Sequence, residues 1–361
     1  MDNLPVEAGA IMPLIESRLE LDSTAAALNQ LWLQRHAIEN TALQLAHQDI
    51  RQIFLVGSGD SLAVAQLVCR DMESMLAVPC RAYQSYEFIS DAHFLLDEYC
   101  LVIIISASGR PSPVLDALSV ASGSPACVVG ITNQSTVQFS ELANYCLFTG
   151  AVKKGIPTQS TTATLLLLSL FATELSYCQK KIETAYRDAV IHSLLQMINR
   201  MGQVQVTNRD YWRQKDRSLF FNHSITFLAT GCCAAVAPLA ANLLSCGPQL
   251  RPAFFLLEEY HHSLRLFQSD ASQLFMIFMP GWGDNALAAE TAARLEYSGS
   301  TVMTISPLSY NPIFDFFSSM SPADIDRCAN FYHLVFLQEL SLQLADDFID
   351  RGGIRASFNN G

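Results

Sequence analysis

Two short apolar runs constrain this chain more than any other feature: Ile53-Phe54-Leu55-Val56 and Leu101-Val102-Ile103-Ile104-Ile105. Neither alternates apolar with polar residues, so neither has a face to offer to water. Such runs suit strands covered on both sides, as in a parallel sheet between helical layers. Each breaks directly into small residues, Gly57-Ser58-Gly59-Asp60-Ser61 after the first and Ser106-Ala107-Ser108-Gly109 after the second. In parallel sheets ligands sit beyond the carboxyl ends of the strands. Hydroxyls, glycines and free backbone N–H groups at a helix start suit an anion, and phosphate above all.

The rest of the chain repeats this alternation. Helical material over 15–45 precedes the first strand. Strand patterns follow at 80–83, 126–132 and 145–148, with helices at 61–76, 113–122 and 135–143 and a buried helix at 156–175. This is the doubly wound signature. A polar helix pattern over 179–201 leads to a charged stretch, 208–217, where a domain boundary is expected. Beyond it strands at 224–229, 253–257, 273–279 and 301–305 begin the pattern again, and a helix over 331–349 closes it. The second half thus reads as a shorter copy of the first. The expected organisation is an N-terminal helical segment (1–46), a first α/β domain (47–178), a linker helix (179–217), a second α/β domain (218–345) and a tail (346–361).

At 361 residues, with 50% hydrophobic and 16% charged residues, the chain can fill two domain cores. A net charge of −12 argues against a nucleic-acid surface. The uncharged stretch 224–250 is long enough to cross a bilayer. It reads better as a strand, a glycine turn at Thr230-Gly231 and a buried helix, so no membrane association is expected. The ten cysteines are scattered without metal-ligand spacing, which suits reduced thiols in a cytoplasmic protein. No cofactor and no metal are expected.

Motifs in this order resemble tandem SIS (sugar isomerase) domains, as in the isomerase portion of glucosamine-6-phosphate synthase and the fructosamine-6-phosphate deglycases. The turns at 57–61 and 106–109, Tyr86-Glu87-Phe88, Thr132-Asn133, Gly155 to Ser160 and Glu259-Tyr260-His261-His262 stand where that family has its signatures. The resemblance implies two three-layer α/β/α domains, each with a doubly wound parallel sheet. It implies a phosphorylated sugar or amino sugar held by Gly57, Ser58, Asp60, Ser61, Ser106, Ala107, Ser108, Gly109, Ser112, Thr158 and Ser160. It assigns acid–base chemistry to His262, oriented by Glu259, and a homodimer whose sites are shared between subunits. Three departures stand out. Arg110-Pro111-Ser112 replaces the family's Glu-Thr continuation, with Ser112 near enough to supply the lost hydroxyl. Cys246 occupies the place of a Glu base, sixteen residues before His262, and the tail lysine is missing, with Arg351 or Arg355 as substitutes.

Plainer readings stand beside these. Ser106 and Ser108 would also serve as helix caps. Asp60, an acid in an anion turn, would face a sugar hydroxyl or act as a cap, and His262 would be an ordinary structural histidine. The expected activity is that of an isomerase, deglycase or deaminase acting on a ketose 6-phosphate or fructosamine 6-phosphate. The alternatives are a non-catalytic phosphosugar sensor and a scaffold.

Overall fold

The structure, a computed structural model, describes residues 14–110, 112–156, 159–263, 268–279, 285–306 and 322–353. Three short helices, α1 (Ile15–Asp22), α2 (Thr24–Leu33) and α3 (His36–Leu45), precede the first sheet. Strand and helix then alternate through β1 (Gln52–Gly57), α4 (Asp60–Leu76), β2 (Cys80–Gln84) and α5 (Ser85–Glu87), which runs on as irregular turns to Leu95. Next come β3 (Cys100–Ile105), α6 (Ser112–Ser122), β4 (Cys127–Thr132), α7 (Val137–Leu142), β5 (Tyr145–Phe148) and α8 (Gln159–Cys178). The connecting helices α9 (Thr184–Gln214) and α10 (Leu219–Asn222) lead to β6 (Ser224–Ala229), α11 (Val236–Cys246), β7 (Ala253–Leu256) and α12 (Leu257–Ser263). The described chain ends with β8 (Gln273–Phe278), α13 (Ala286–Tyr297), β9 (Thr301–Ile305) and α14 (Pro322–Asp350).

Both sheets are wholly parallel, with orders β2-β1-β3-β4-β5 and β7-β6-β8-β9. The second order is the first without its last strand, as expected of a shorter copy. Pairing Ile53 with Leu101 and Leu55 with Ile103 sends these side chains to one face of the first sheet. Phe54, Val56, Val102 and Ile104 go to the other, against α6 and α7. The apolar runs are therefore continuous because both faces are covered.

One core spans the two sheets. Ile53, Leu55 and Ile103 on the inner face of the first sheet join, through α4, α8, α9, α11 and α14, the inner face of the second at Phe227 and Met276. Helix α8 lies in this shared layer, with only Ser169, Tyr177 and Cys178 not buried. It is long and apolar enough to cross a membrane by length and composition, but its surroundings are α2, α3, α4 and α9. Three of its hydroxyls are satisfied within the helix: Thr164 donates to the Ser160 carbonyl, Thr173 to Ser169 and Ser176 to Ala172.

Two helices run further than their patterns suggested. The charged stretch at 208–217 is largely helical, because α9 continues to Gln214. Asn208 and Trp212 point inward, Arg209 and Arg217 pair with Asp22 and Asp347, and the Trp212 ring packs 4.7 Å from Phe336 of α14. Helix α14 also begins earlier than 331 and ends at Asp350, inside the expected tail. Residues 331–345 are buried on all sides, so no apolar stripe marks its limits.

A core shared by both sheets predicts coupled unfolding. Phe171→Ala in α8 should cost about 3–5 kcal/mol. Urea denaturation followed by tryptophan fluorescence and by far-ultraviolet circular dichroism should give one coincident transition in wild type and variant alike. Separate transitions for the two halves would contradict a shared core.

Candidate phosphate-binding site

The strand order places the topological switch between β1 and β3, whose chains depart in opposite directions along the sheet. A pocket lies at their carboxyl ends, lined by Ser58, Asp60, Ser61, Ala107, Lys153, Ser160 and Thr161, with Val64 and Thr164 beneath. Its volume is about 30 Å³, room for a small anion and not for a hexose. Helices α4 and α8 both start at it, so two helix N-termini contribute positive potential.

Close packing shapes the two turns. A side chain at Gly57 would put its Cβ 2.8 Å from the Ser61 Cβ, so glycine lets the first turn of α4 fold back onto the end of β1. Gly109 has a φ of +65°, and a Cβ there would meet Thr136 at 2.9 Å. The Ser106 hydroxyl, buried, accepts the Gly109 N–H at 3.0 Å and so closes its own turn. The backbone of Ala107 accepts the Asn133 N–H at 3.0 Å.

Asn133 organises the floor. Its Oδ1 accepts hydrogen bonds from Thr149 Oγ1 and Ser160 Oγ, both at 2.8 Å, which orients Ser160. Ser58 Oγ donates to Ser85 Oγ at 3.0 Å. The hydroxyls of Ser61 and Thr161 have no side-chain hydrogen bond among the described residues and are open to a ligand.

Lys153 arrives on a loop held by α1. Glu20 accepts the N–H groups of Lys154 and Gly155, each at 3.0 Å, and Ser17 Oγ accepts that of Ile156 at 3.0 Å. Gln159 accepts the Val152 N–H at 2.7 Å and donates to Ser23 Oγ at 2.8 Å. Burial pushes the Glu20 carboxyl above its ordinary range, against the two backbone hydrogen bonds. An N-terminal helix thus fixes the cation of the cradle.

The expected site residues divide accordingly. Gly57, Ser58, Asp60, Ser61, Ala107, Gly109 and Ser160 line or shape the pocket. Ser106 braces its turn, and Ser108 is exposed outside the lining. Ser112 does not replace the lost hydroxyl, because it opens α6 with its side chain donating to Asp116 at 3.2 Å. Thr158 lies outside the described residues. Lys153 and Thr164 were not among the expected ligands. A lysine pair directly before a Thr/Ser-rich helix, in a chain with few charges, was the available signal for Lys153.

His262 and Glu259 lie elsewhere. Leu257 and Tyr260 anchor α12 in the outer core of the second sheet, which turns Glu258, Glu259 and His262 outward. The His262 side chain is 72% exposed, and its nearest carboxylate is Glu258 at 3.9 Å, not Glu259. One helical turn separates positions 258 and 262, which brings their side chains together. Neither His262 nor Glu259 lines the pocket of its own chain. Its neighbour His261 receives a hydrogen bond from Arg294 at 3.0 Å and lies 2.7 Å from Thr291 Oγ1, the geometry of a neutral ring. Burial and Arg294 lower its pKa.

The matching crevice in the second sheet is closed differently. Thr230-Gly231-Cys232-Cys233 forms a tight 3₁₀ turn with Cys233 buried. His333 of α14 is wholly buried against the end of β8, 3.2 Å from the Met279 carbonyl, and burial pulls its pKa down to about 4. Cys246 is exposed at the end of α11. Among the described residues no group of three His, Cys, Asp or Glu side chains is placed to hold a metal.

Comparisons with known proteins agree with this geometry. The family model described as SIS domain matches residues 45–174, the unit that holds the pocket. The HTH-type transcriptional regulator RpiR of Escherichia coli (strain K12) is 30% identical over 139 residues, 37% of this chain and 46% of the regulator. The chain therefore spans about half the length of the curated relatives it matches. The C-terminal domain of glucosamine-fructose-6-phosphate aminotransferase from Francisella tularensis superposes with a TM-score of 0.74 at 16% identity, covering 93% of this chain and 96% of that one. Glucosamine-6-phosphate deaminase from Thermotoga maritima gives 0.66 at 18% identity, covering 93% and 95%. At these identities the likeness to the two enzymes is one of fold. Residues 45–174 thus match the SIS domain by sequence, and the second sheet is wound in the same order as the first.

Proposed function

We propose that this chain binds the phosphoryl group of a sugar phosphate in the cradle at β1 and β3, and acts on the sugar as an isomerase, deglycase or deaminase. The observation that supports binding is the convergence of open hydroxyls, two helix N-termini and Lys153 on one small pocket at the switch point. The sugar itself would lie outside it, over the exposed rim.

Aldose–ketose chemistry needs ring opening and a proton moved between C1 and C2. Apart from Asp60 and Lys153, no acid–base side chain lines the cradle, while His262 and Glu259 stand exposed on α12. In this reading α12 of a second copy covers the sugar, and His262 opens the ring or shuttles the proton. The second reading is a phosphosugar sensor, favoured by Cys246 in place of a carboxylate base. The regulator RpiR, 30% identical over 139 residues, points the same way.

Proton NMR of the protein with fructose 6-phosphate and with glycated-lysine 6-phosphate separates the two. Isomerised sugar or released amine selects the enzyme; binding without turnover selects the sensor. If turnover is seen, mixing Ser160→Ala and His262→Ala variants after subunit exchange should restore part of the activity, since some mixed dimers hold one intact site. No recovery despite proven exchange would remove the shared site.

Lys153→Met should weaken binding of fructose 6-phosphate by about 1.5–3 kcal/mol, the value of a hydrogen bond to a charged group. Its side chain is exposed, so the melting temperature of the unliganded protein should stay unchanged. Unaltered affinity by calorimetry would take Lys153 out of the site.

A further inference from the structure

Asp60 is the one acidic side chain in the cradle, at the first residue of α4 between Ser58 and Ser61. A carboxylate there would repel a phosphate dianion held in the same small pocket. Nor do the hydroxyls beside it stabilise a negative charge on it. The Ser58 proton is directed to Ser85 and the Ser160 proton to Asn133. Asp60 itself makes no side-chain hydrogen bond among the described residues.

The surrounding charges are few. Ser61 and Val64 of α4, Ala107 after β3, and Ser160, Thr161 and Thr164 of α8 bring none. Lys153, from the loop after β5, is the charged group that faces Asp60, and Arg110 stays exposed outside the lining. Burial pushes the Asp60 carboxyl up to about 6, with Lys153 opposing.

We infer that Asp60 makes the cradle proton-linked: a phosphoryl group enters together with one proton from solvent, and the neutral Asp60 carboxyl donates a hydrogen bond to a phosphoryl oxygen. Lys153 then supplies the uncompensated positive charge. No covalent bond changes; the exchange is one proton taken up on binding and released on departure. The inference rests on the phosphosugar reading above and adds a consequence that reading lacks, a ligand affinity that rises on acidification. The unliganded protein should show the same group from the other side. A raised carboxyl pKa means that the folded chain holds this proton more tightly than the unfolded one. Its contribution to stability therefore falls as pH rises from about 4 to 6 and is constant above.

The test is calorimetric titration of fructose 6-phosphate, and separately of inorganic phosphate, into the wild-type chain and Asp60→Asn between pH 5.5 and 8. Asparagine keeps the shape and the hydrogen-bond donor but cannot titrate. If only the protonated form binds, wild-type affinity for fructose 6-phosphate should fall about 50-fold from pH 6 to pH 8. Asp60→Asn should stay within about threefold over that range, since the phosphoester loses its own second proton near pH 6. The variant's melting temperature should exceed that of the wild type at pH 7.5 and approach it at pH 4. An equal fall in affinity for both proteins would place the proton on the phosphoryl group and overturn the inference. So would a wild-type affinity that ignores pH. Failure of both probes to bind either protein at any pH would remove the phosphosugar reading itself.

Discussion

The burial of α8 on all sides is the constraint on which the rest depends. A helix with no exposed face needs partners around its whole circumference, and one sheet offers only one side. Here α4, α3 and α2 cover it on the first-domain side and α9 on the other, with α14 reaching it from the second domain. Each buried leucine contributes roughly 1.5–3 kcal/mol. The middle layer therefore joins the sheets into one core, and it sets the N-terminus of α8 against the strand ends where the pocket forms.

The pocket inherits its rigidity from that arrangement. Asn133, at the end of β4, orients Ser160 on α8, and Glu20 and Ser17 of α1 hold the backbone that presents Lys153. The N-terminal helices thus support the pocket, because Ser17, Glu20 and Ser23 hold the loop before α8 and its first residue. Further along α1 and α9, Arg18 binds buried Glu339 of α14 at 2.7 Å, and Arg209 pairs with Asp22. These ion pairs tie the clamp to the same middle layer.

The two sheets use one topology to different ends. In the first, the crevice at the switch point is open and lined by hydroxyls. In the second, buried His333 lies against the strand end and a 3₁₀ turn replaces the glycine-serine turn.

Much of this was legible in the residues alone. Unbroken apolar strands dictate coverage on both faces, and the parallel sheets and their repeated order follow from that. Turn chemistry at 57–61 marked residues that the fold brings to one small pocket. The serines at 106 and 108 show where this logic stops. Local sequence shows a hydroxyl in a turn but not its direction; the fold turns Ser106 onto its own backbone and leaves Ser108 outside. Lys153 and its clamp were out of reach for a stronger reason: Glu20 and Gly155 are 135 positions apart, and only packing brings them together. The charged stretch ending α9 misled likewise, since Trp212 becomes an interior residue only against α14. Sequence periodicity determined which elements form and which faces they bury; long-range packing alone decided which polar groups meet, because those contacts carry no local pattern.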